Sequence, residues 1–122
     1  MSKSNVVDSS GWLEYLIDSE RAPFFASAIE DTENLIVPVI SIYEVFKKVL
    51  RDHGENDALQ VASVMQNGRV IDLDLSISLE AARYQLPLAD SIIYATAMRF
   101  GSILWTQDEH FENLANVRYF AK

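Results

Sequence analysis

The amino-acid sequence predicts an α/β fold in which helices cover a mostly parallel sheet. Short runs of β-branched residues alternate along the chain with amphipathic or apolar helical segments, the pattern of parallel α/β proteins. The runs lack strict polar alternation, which fits strands buried on both faces. Hydrophobic residues make up 49% of the 122 residues, enough for a substantial core. We therefore expect a single domain over residues 1–122.

Helix boundary signals divide the first half of the chain. Ser10 and Ser41 are suited to opening helices, Pro23 to a first helical turn, and Gly54 to a C-terminal cap. The predicted order is strand 4–8, helix 10–19, helix 23–32, strand 34–39 and helix 41–54.

The second half contains the most apolar helix, which begins after Pro87 and ends before Gly101. Its central sequence, "SIIYATA", is apolar or small almost all round, so we expect it to lie deep in the fold. The predicted order is helix 55–68, strand 69–74, helix 75–85, helix 88–100, strand 102–107, a short helix 108–114 and strand 116–120.

Four carboxylates fall where parallel strands end or where the following helices begin. Asp8 ends the first strand, Glu44 lies in the first turn of the helix after the second, Asp90 precedes the buried helix, and Asp108 follows "SILWT". Ligands of open α/β sheets bind beyond the carboxyl ends of the strands. We therefore expect these four side chains to converge on one edge of the sheet.

Helix capping is the alternative explanation for each carboxylate. Asp8, Asp90 and Asp108 have positions suited to N-caps, and Ser41 with Glu44 fits a capping box. Two carboxylates about 4 Å apart, however, repel by roughly 4 kcal/mol at an effective dielectric constant of 20. Four on one rim therefore favour a bound divalent cation such as Mg²⁺ or Mn²⁺, which prefers oxygen ligands. For Asp90 the sequence predicts both roles, a cap and a metal ligand.

The segments around these carboxylates resemble the PIN-domain ribonucleases, in particular the VapC toxins of toxin–antitoxin pairs. The matching segments are "VVDSSGWLEYL", "SIYEVFKKVL", "LPLADSIIYATA" and "ILWTQDEHFENL". The resemblance implies a three-layer α/β/α sandwich and metal-dependent cleavage of RNA by an acidic Mg²⁺ or Mn²⁺ site. It also implies inhibition by a cognate antitoxin and a homodimeric state.

The same resemblance assigns individual residues. Asp8, Glu44 and Asp90 match the three best-defined acidic positions of the family, and Asp108 matches the more variable fourth, with Glu109 as the alternative. The resemblance further implies supporting hydroxyl groups before and after these acids. Those residues are Ser9 or Ser10, and Thr106.

Other residue types limit the chemistry. The chain has no cysteine, and its two histidines, His53 and His110, are predicted to be exposed polar residues without a catalytic role. Activation of the attacking water is therefore assigned to the metal, and by family analogy cleavage leaves a 5′-phosphate and a 3′-hydroxyl. No apolar run is long enough to span a bilayer, and no signal peptide is evident, so we expect a cytoplasmic protein.

The net charge of −8 argues against nonspecific binding of polyanions and suits a basic partner. Basic residues nevertheless cluster on the helix that carries Glu44, as Lys47, Lys48 and Arg51. Pairing within the helix is the favoured explanation for Lys48. For Lys47, a contact with substrate phosphate stays equally open.

Two other functions compete with the nuclease. A catalytically silent PIN-like domain would bind partners without cutting, although all four acids are present. A phosphate-accepting receiver-type domain would need adjacent acids after the first strand and a lysine closing a late strand. Here "VVDSSG" contains one acid and "ILWTQD" contains no lysine.

Overall fold

The computed structural model describes residues 3–122. All five predicted strands are present, each shorter than expected. The elements in chain order are β1 (Asn5–Val7), α1 (Ser9–Leu16), α2 (Ala22–Ile29), a 3-10 turn (Thr32–Asn34), β2 (Ile36–Pro38), α3 (Val39–His53), α4 (Glu55–Met65), β3 (Arg69–Ile71), α5 (Leu75–Ala81), α6 (Leu88–Arg99), β4 (Ile103–Thr106), a second 3-10 turn (Glu109–Phe111) and β5 (Val117–Tyr119).

Every strand pairing is parallel, as predicted. Strand β1 pairs with β4, β4 pairs with β5, and β2 pairs with β3. A single parallel bridge between Asn5 and Leu35 brings β2 beside β1. The strand order is therefore β3-β2-β1-β4-β5, and the carboxyl ends of the strands meet at one edge.

Alternate residues of each central strand enter different cores, which confirms the α/β/α sandwich. Val7, Val37 and Trp105 pack with helices α1 to α4 on one face of the sheet. Their neighbours Val6, Ile36 and Leu104 pack on the other face with α6. This period of two explains why the strands read as continuous apolar runs: both faces are covered by helices.

Helix α6 is buried almost all round, as its sequence predicted. All residues from Ser91 to Ala97 are buried. One side of the helix packs on the sheet, and the other packs on α5 through Ile92 and Ala95. Its buried hydroxyls all have partners: Ser91 donates to the Leu88 carbonyl and Thr96 to the Ile92 carbonyl, both at 2.7 Å, and Tyr94 donates to the Ala115 carbonyl at 2.8 Å.

Several helix starts differ from the prediction because neighbouring residues take the cap positions. Helix α1 begins at Ser9 with Asp8 as its N-cap, so Ser10 lies inside it. Helix α3 begins at Val39 after Pro38, which places Ser41 within the helix, where it is buried. The predicted Ser41–Glu44 capping box is therefore wrong.

The C-terminal part of the chain shows two further differences. The predicted helix at 108–114 is only a single 3-10 turn. Helix α6 has Pro87 as its N-cap and Asp90 in its first turn, so the predicted N-cap role of Asp90 is wrong. The proline has an extended backbone, with φ −53° and ψ 155°, and the next residue begins the helix.

Two general predictions bear on the whole chain. None of the helices described within residues 3–122 is long and apolar enough to cross a membrane. The single domain over residues 1–122 stays a prediction, and its first two residues lie outside the described part.

Candidate active site

The four predicted carboxylates line one cleft at the carboxyl edge of the sheet. Asp8 follows β1, Asp108 follows β4, Glu44 comes from α3 and Asp90 from the first turn of α6. The cleft has a volume of about 290 Å³, and its other lining residues are Ser9, Ser10, Leu13 and Lys48. Four segments far apart in sequence thus place negative charge in one small volume.

Asp8 is the most deeply placed of the four, with only 3% of its surface exposed. Its Oδ1 atom accepts hydrogen bonds from the Gly11 amide at 2.8 Å and the Ser10 hydroxyl at 3.1 Å. Its Oδ2 atom accepts one from the Thr106 hydroxyl at 2.5 Å. Burial raises the pKa of Asp8 to about 6, although these hydrogen bonds oppose the rise.

Gly11 makes the close packing behind Asp8 possible. A Cβ atom at this position would lie 2.6 Å from the Phe25 ring and 2.8 Å from the Val7 side chain. The glycine thus lets the start of α1 approach α2 and β1 closely. The predicted N-cap role of Asp8 is confirmed, because the capping bond is the one from the Gly11 amide.

Thr106 links Asp8 to the segment that carries Asp108. Its hydroxyl donates to Asp8 and accepts a hydrogen bond from the Asp108 amide at 2.9 Å. The Asp108 carboxylate in turn accepts from the His110 amide at 2.9 Å, which confirms its predicted N-cap role. Strand β4 therefore fixes both the buried carboxylate and the turn beside it.

Glu44 contacts α1 and makes no cap. The Ser9 hydroxyl donates to its Oε1 atom at 2.5 Å. Ser9 and Ser10, which were alternatives as supporting residues, therefore serve different carboxylates, Glu44 and Asp8. Glu44 lies inside α3 rather than at its start, so it has no capping role. Its side chain is held by the contact with Ser9 instead.

Asp90, Asp108 and His110 form a tight group at the outer side of the cleft. The Nδ1 atom of His110 lies 3.0 Å from Asp90 Oδ2 and 3.1 Å from Asp108 Oδ1. One potential ligand atom from each of the three residues lies within 4.8 Å of the others. These distances allow one ion to contact all three side chains.

Electrostatics couple the three groups. Partial burial is the main cause that raises the pKa of Asp90, and repulsion from Asp108 adds to it. The pKa of His110 is also raised, mainly by its hydrogen bond to Asp90 and then by the charge of Asp108. The imidazole thus offsets part of the carboxylate repulsion.

The sequence reasoning missed His110. It is exposed, as predicted, with 52% of its side chain accessible, yet it contacts two of the four carboxylates. The available signal was its position two residues after an N-capping aspartate, because the cap turns the chain back on itself there. His53, at the end of α3, is exposed as predicted.

The donor set fits a hard divalent cation such as Mg²⁺ or Mn²⁺. Carboxylate oxygens predominate, and the raised pKa values of Asp8 and Asp90 indicate that the chain's own groups leave their charges undercompensated. Lys48 lines the cleft, but its Nζ atom lies 3.3 Å from Asp52 in an ion pair within α3. Lys48 therefore pairs with a carboxylate of its own helix, as predicted, and the partner is Asp52.

Glu109 is placed differently from Asp108. It lines a neighbouring cleft of about 430 Å³ together with Tyr119 and Lys122, whereas Asp108 lines both clefts. The geometry thus favours Asp108 over Glu109 as the fourth acid of the site.

Three solved structures illustrate the likeness of this fold to known proteins. A toxin–antitoxin complex from Klebsiella pneumoniae aligns with a TM-score of 0.75 at 22% identity, covering 94% of this chain and 96% of that one. The DNA-bound VapBC of Salmonella typhimurium aligns with a TM-score of 0.75 at 14% identity over 98% of each chain. VapC20 of Mycobacterium tuberculosis, a toxin that cleaves the sarcin–ricin loop, gives 0.73 at 17% identity, with 94% and 99% covered.

Sequence comparison gives the family directly. A search of curated protein sequences returned no match. The family profile described as "PIN domain", by contrast, matches residues 6–117, a span that includes all four carboxylates. The chain therefore belongs to the PIN domain family.

Proposed function

We propose that this chain is a VapC-like toxin, an endoribonuclease that hydrolyses RNA phosphodiester bonds with Mg²⁺ or Mn²⁺. The observation that carries the proposal is the cleft at the carboxyl edge of the sheet. It gathers Glu44, Asp90 and Asp108 around the buried Asp8, whose pKa is raised. Such a site is costly for the apo protein, and a bound cation would offset that cost.

The chain's own residues would hold and orient the ion and the substrate. Asp8, Asp90, Asp108 and Glu44 are the proposed ligands. The hydroxyls of Thr106 and Ser10 fix Asp8, and the Ser9 hydroxyl fixes Glu44 at the cleft wall. When bound, a divalent ion lowers the pKa of water and neutralises charge that develops on the phosphate. By family analogy, cleavage leaves a 5′-phosphate and a 3′-hydroxyl.

The proposal includes a protein partner. The solved structures of similar fold include a toxin–antitoxin complex and a DNA-bound VapBC, so we expect a cognate antitoxin for this chain. A net charge of −8 suits an antitoxin with a basic segment. We further expect a homodimer that acts in the cytoplasm on RNA.

A catalytically silent PIN-like binding module is the competing function. The hydrogen bonds that orient Asp8 and Glu44 favour the enzyme, because a binding module has no need to fix the buried Asp8 and the half-buried Glu44 in one cleft. The receiver-type alternative finds no support in a chain whose family profile is the PIN domain.

Mapped cleavage of RNA tests the proposal. Purified, antitoxin-free protein is incubated with total RNA in Mg²⁺, in Mn²⁺ and in EDTA, and the new ends are sequenced. We expect cleavage that depends on the metal and disappears in the Asp90→Asn variant. Glu33→Gln is the matched control, because Glu33 is exposed and lines a cleft at the other edge of the sheet.

Two results would contradict the proposal. Equal cleavage in EDTA would exclude the metal-dependent mechanism. Absence of cleavage of any RNA by protein that still forms a complex with its antitoxin would favour the silent binding module.

A further inference from the structure

The acidic cleft continues into a basic and aromatic surface on the exposed side of α3. We call this the α3 surface and define it by Tyr43, Lys47, Lys48 and Arg51. These residues and Glu44 line a shallow cleft of about 210 Å³. Glu44 and Lys48 line both this cleft and the acidic one, so the two are continuous.

Basic charge is concentrated on this surface. Three of the ten Lys and Arg residues fall within the five residues 47–51, in a chain with a net charge of −8. Lys47 forms no ion pair with a carboxylate of residues 3–122; its Nζ atom lies 3.5 Å from the Tyr43 hydroxyl. Arg51 pairs with Asp52 at 3.0 Å, but 68% of its side chain is exposed.

Tyr43 adds an exposed aromatic ring beside these cations. It is 57% exposed, and Lys47 Nζ lies 5.6 Å from its ring centroid. Residues 43, 47 and 51 are one helical turn apart on one face, spanning about 12 Å along the axis. An unpaired base can stack on such a ring, whereas the bases of a duplex are already stacked within it.

Arginines elsewhere in the described chain are occupied by other contacts. Arg21 donates to the Phe120 and Ala121 carbonyls, and Arg99 lies 3.7 Å from Asp74. Arg118 lies over the Trp105 ring. The α3 surface therefore combines three clustered cations and an exposed aromatic ring next to the candidate active site. The neighbouring cleft that contains Tyr119 and Lys122 also contains Glu109, which opposes the binding of phosphate.

We propose that the α3 surface binds the single-stranded RNA substrate next to the cleavage site, with one base stacked on Tyr43 and phosphates on Lys47 and Arg51. This inference rests on the proposed function and assigns its substrate-binding surface. Charge complementarity selects RNA as the occupant: the cations attract phosphates, and the carboxylates beside them require the metal to accept the scissile one.

Binding of RNA, measured apart from cleavage, tests the proposal. A fluorescently labelled, unstructured RNA is titrated with Asp90→Asn protein, which is expected not to cut it, and with the same protein carrying one α3 change. Tyr43→Ala should weaken binding by about tenfold, whereas Tyr43→Phe, which retains the ring, should restore most of it. A duplex of the same sequence should bind more weakly than the single strand.

Salt dependence identifies the phosphate contacts. Lys47→Gln and Arg51→Gln should each reduce the slope of log Kd against log salt by roughly 0.7, the value for one phosphate contact on a single strand. Arg83→Gln is the matched control, because Arg83 is 69% exposed and pairs with Glu80 at 3.0 Å, much as Arg51 pairs with Asp52. The control should leave both affinity and slope unchanged.

Three results would overturn the inference: unchanged RNA affinity in all α3 variants, equal losses in Arg83→Gln, or a changed oligomeric mass with unchanged RNA binding. The last result would assign the surface to a second copy of the chain. If the wild type cuts RNA in Mg²⁺ while the α3 variants bind and cut normally, the inference fails and the proposed function stands. If the wild type cuts no RNA, the proposed function fails, and the binding titration still decides the inference.

Discussion

The two sides of the acidic cleft hold the same kind of side chain in different surroundings. At the inner wall, formed by Asp8 with Ser10 and Thr106, the Asp8 carboxylate is buried and accepts three hydrogen bonds. The outer wall, Asp90 with Asp108 and His110, is partly exposed and contains a titratable cation. Desolvation dominates the inner wall, whereas at the outer wall repulsion between carboxylates and the imidazole that offsets it also contribute.

This difference indicates how the fold holds the carboxylates of the proposed ion site in place. The inner wall is held by neutral donors that belong to the folded core, so its geometry does not depend on charge. The outer wall can exchange partners, because an imidazole that contacts two carboxylates can leave them when a stronger cation arrives.

The largest expected effect is on catalysis at the outer wall. Asp108→Asn should lower kcat/KM for RNA cleavage by at least about a hundredfold, because it removes a charge proposed to hold the ion. Glu109→Gln, one residue away and facing the neighbouring cleft, should leave kcat/KM close to the wild-type value. Initial rates at matched Mn²⁺ concentrations measure both, and a reversed order would place Glu109 in the site.

The next effect is on stability at the inner wall. Because burial raises the pKa of Asp8 to about 6, the folded state binds its proton more tightly than the unfolded state does. The stabilisation that protonated Asp8 gives the folded state is therefore fully present below about pH 4 and is lost as the pH rises through 6. Asp8→Asn removes this cost and should stabilise the metal-free protein at pH 7 by about 1–3 kcal/mol.

Urea unfolding in EDTA across this pH range checks the stability prediction. The wild-type free energy of unfolding should fall between about pH 4 and 6 relative to that of Asp8→Asn. Parallel pH profiles of the two proteins, or a less stable Asp8→Asn protein at pH 7, would contradict a dominant desolvation cost at the inner wall.

The smallest expected effect concerns His110. The pKa of His110 is raised because Asp90 and Asp108 stabilise its protonated form. A metal ion bound by these carboxylates would therefore compete with that proton. Mn²⁺ affinity should therefore rise with pH through the range where His110 loses its proton, by up to about tenfold per pH unit. His110→Gln should reduce this dependence, and His53→Gln, an exposed histidine on α3, should not. If Mn²⁺ affinity depends on pH equally in His110→Gln and in the wild type, the imidazole does not compete with the ion.

The sequence predicted the positions of some site residues better than others, because different interactions fix those positions. Parallel strands fix where Asp8 and Asp108 stand, because the carboxyl ends of neighbouring strands must meet at one edge; periodicity along the chain was sufficient for that. Asp90 was placed correctly near the edge but with the wrong local role, because Pro87 rather than the aspartate ends the extended segment before α6.

Contacts between side chains were not predictable in the same way. The partners of Glu44 and Asp90, namely Ser9 and His110, are 35 and 20 residues away from them in sequence. Their meeting depends on helix packing and on the geometry of one 3-10 turn, neither of which leaves a periodic pattern. The supporting hydroxyls Ser10 and Thr106 were reached only through resemblance to a family, and the structure supplies their hydrogen-bond partner, Asp8.

The central claim is that these carboxylates form one site for a divalent cation, and calorimetric titration of metal-free protein with Mn²⁺ tests it most directly. The account predicts saturable binding by the wild type that is strongly weakened both in Asp8→Asn, from the inner wall, and in Asp90→Asn, from the outer wall. Binding that is undetectable in the wild type, or that survives both substitutions unchanged, would contradict it.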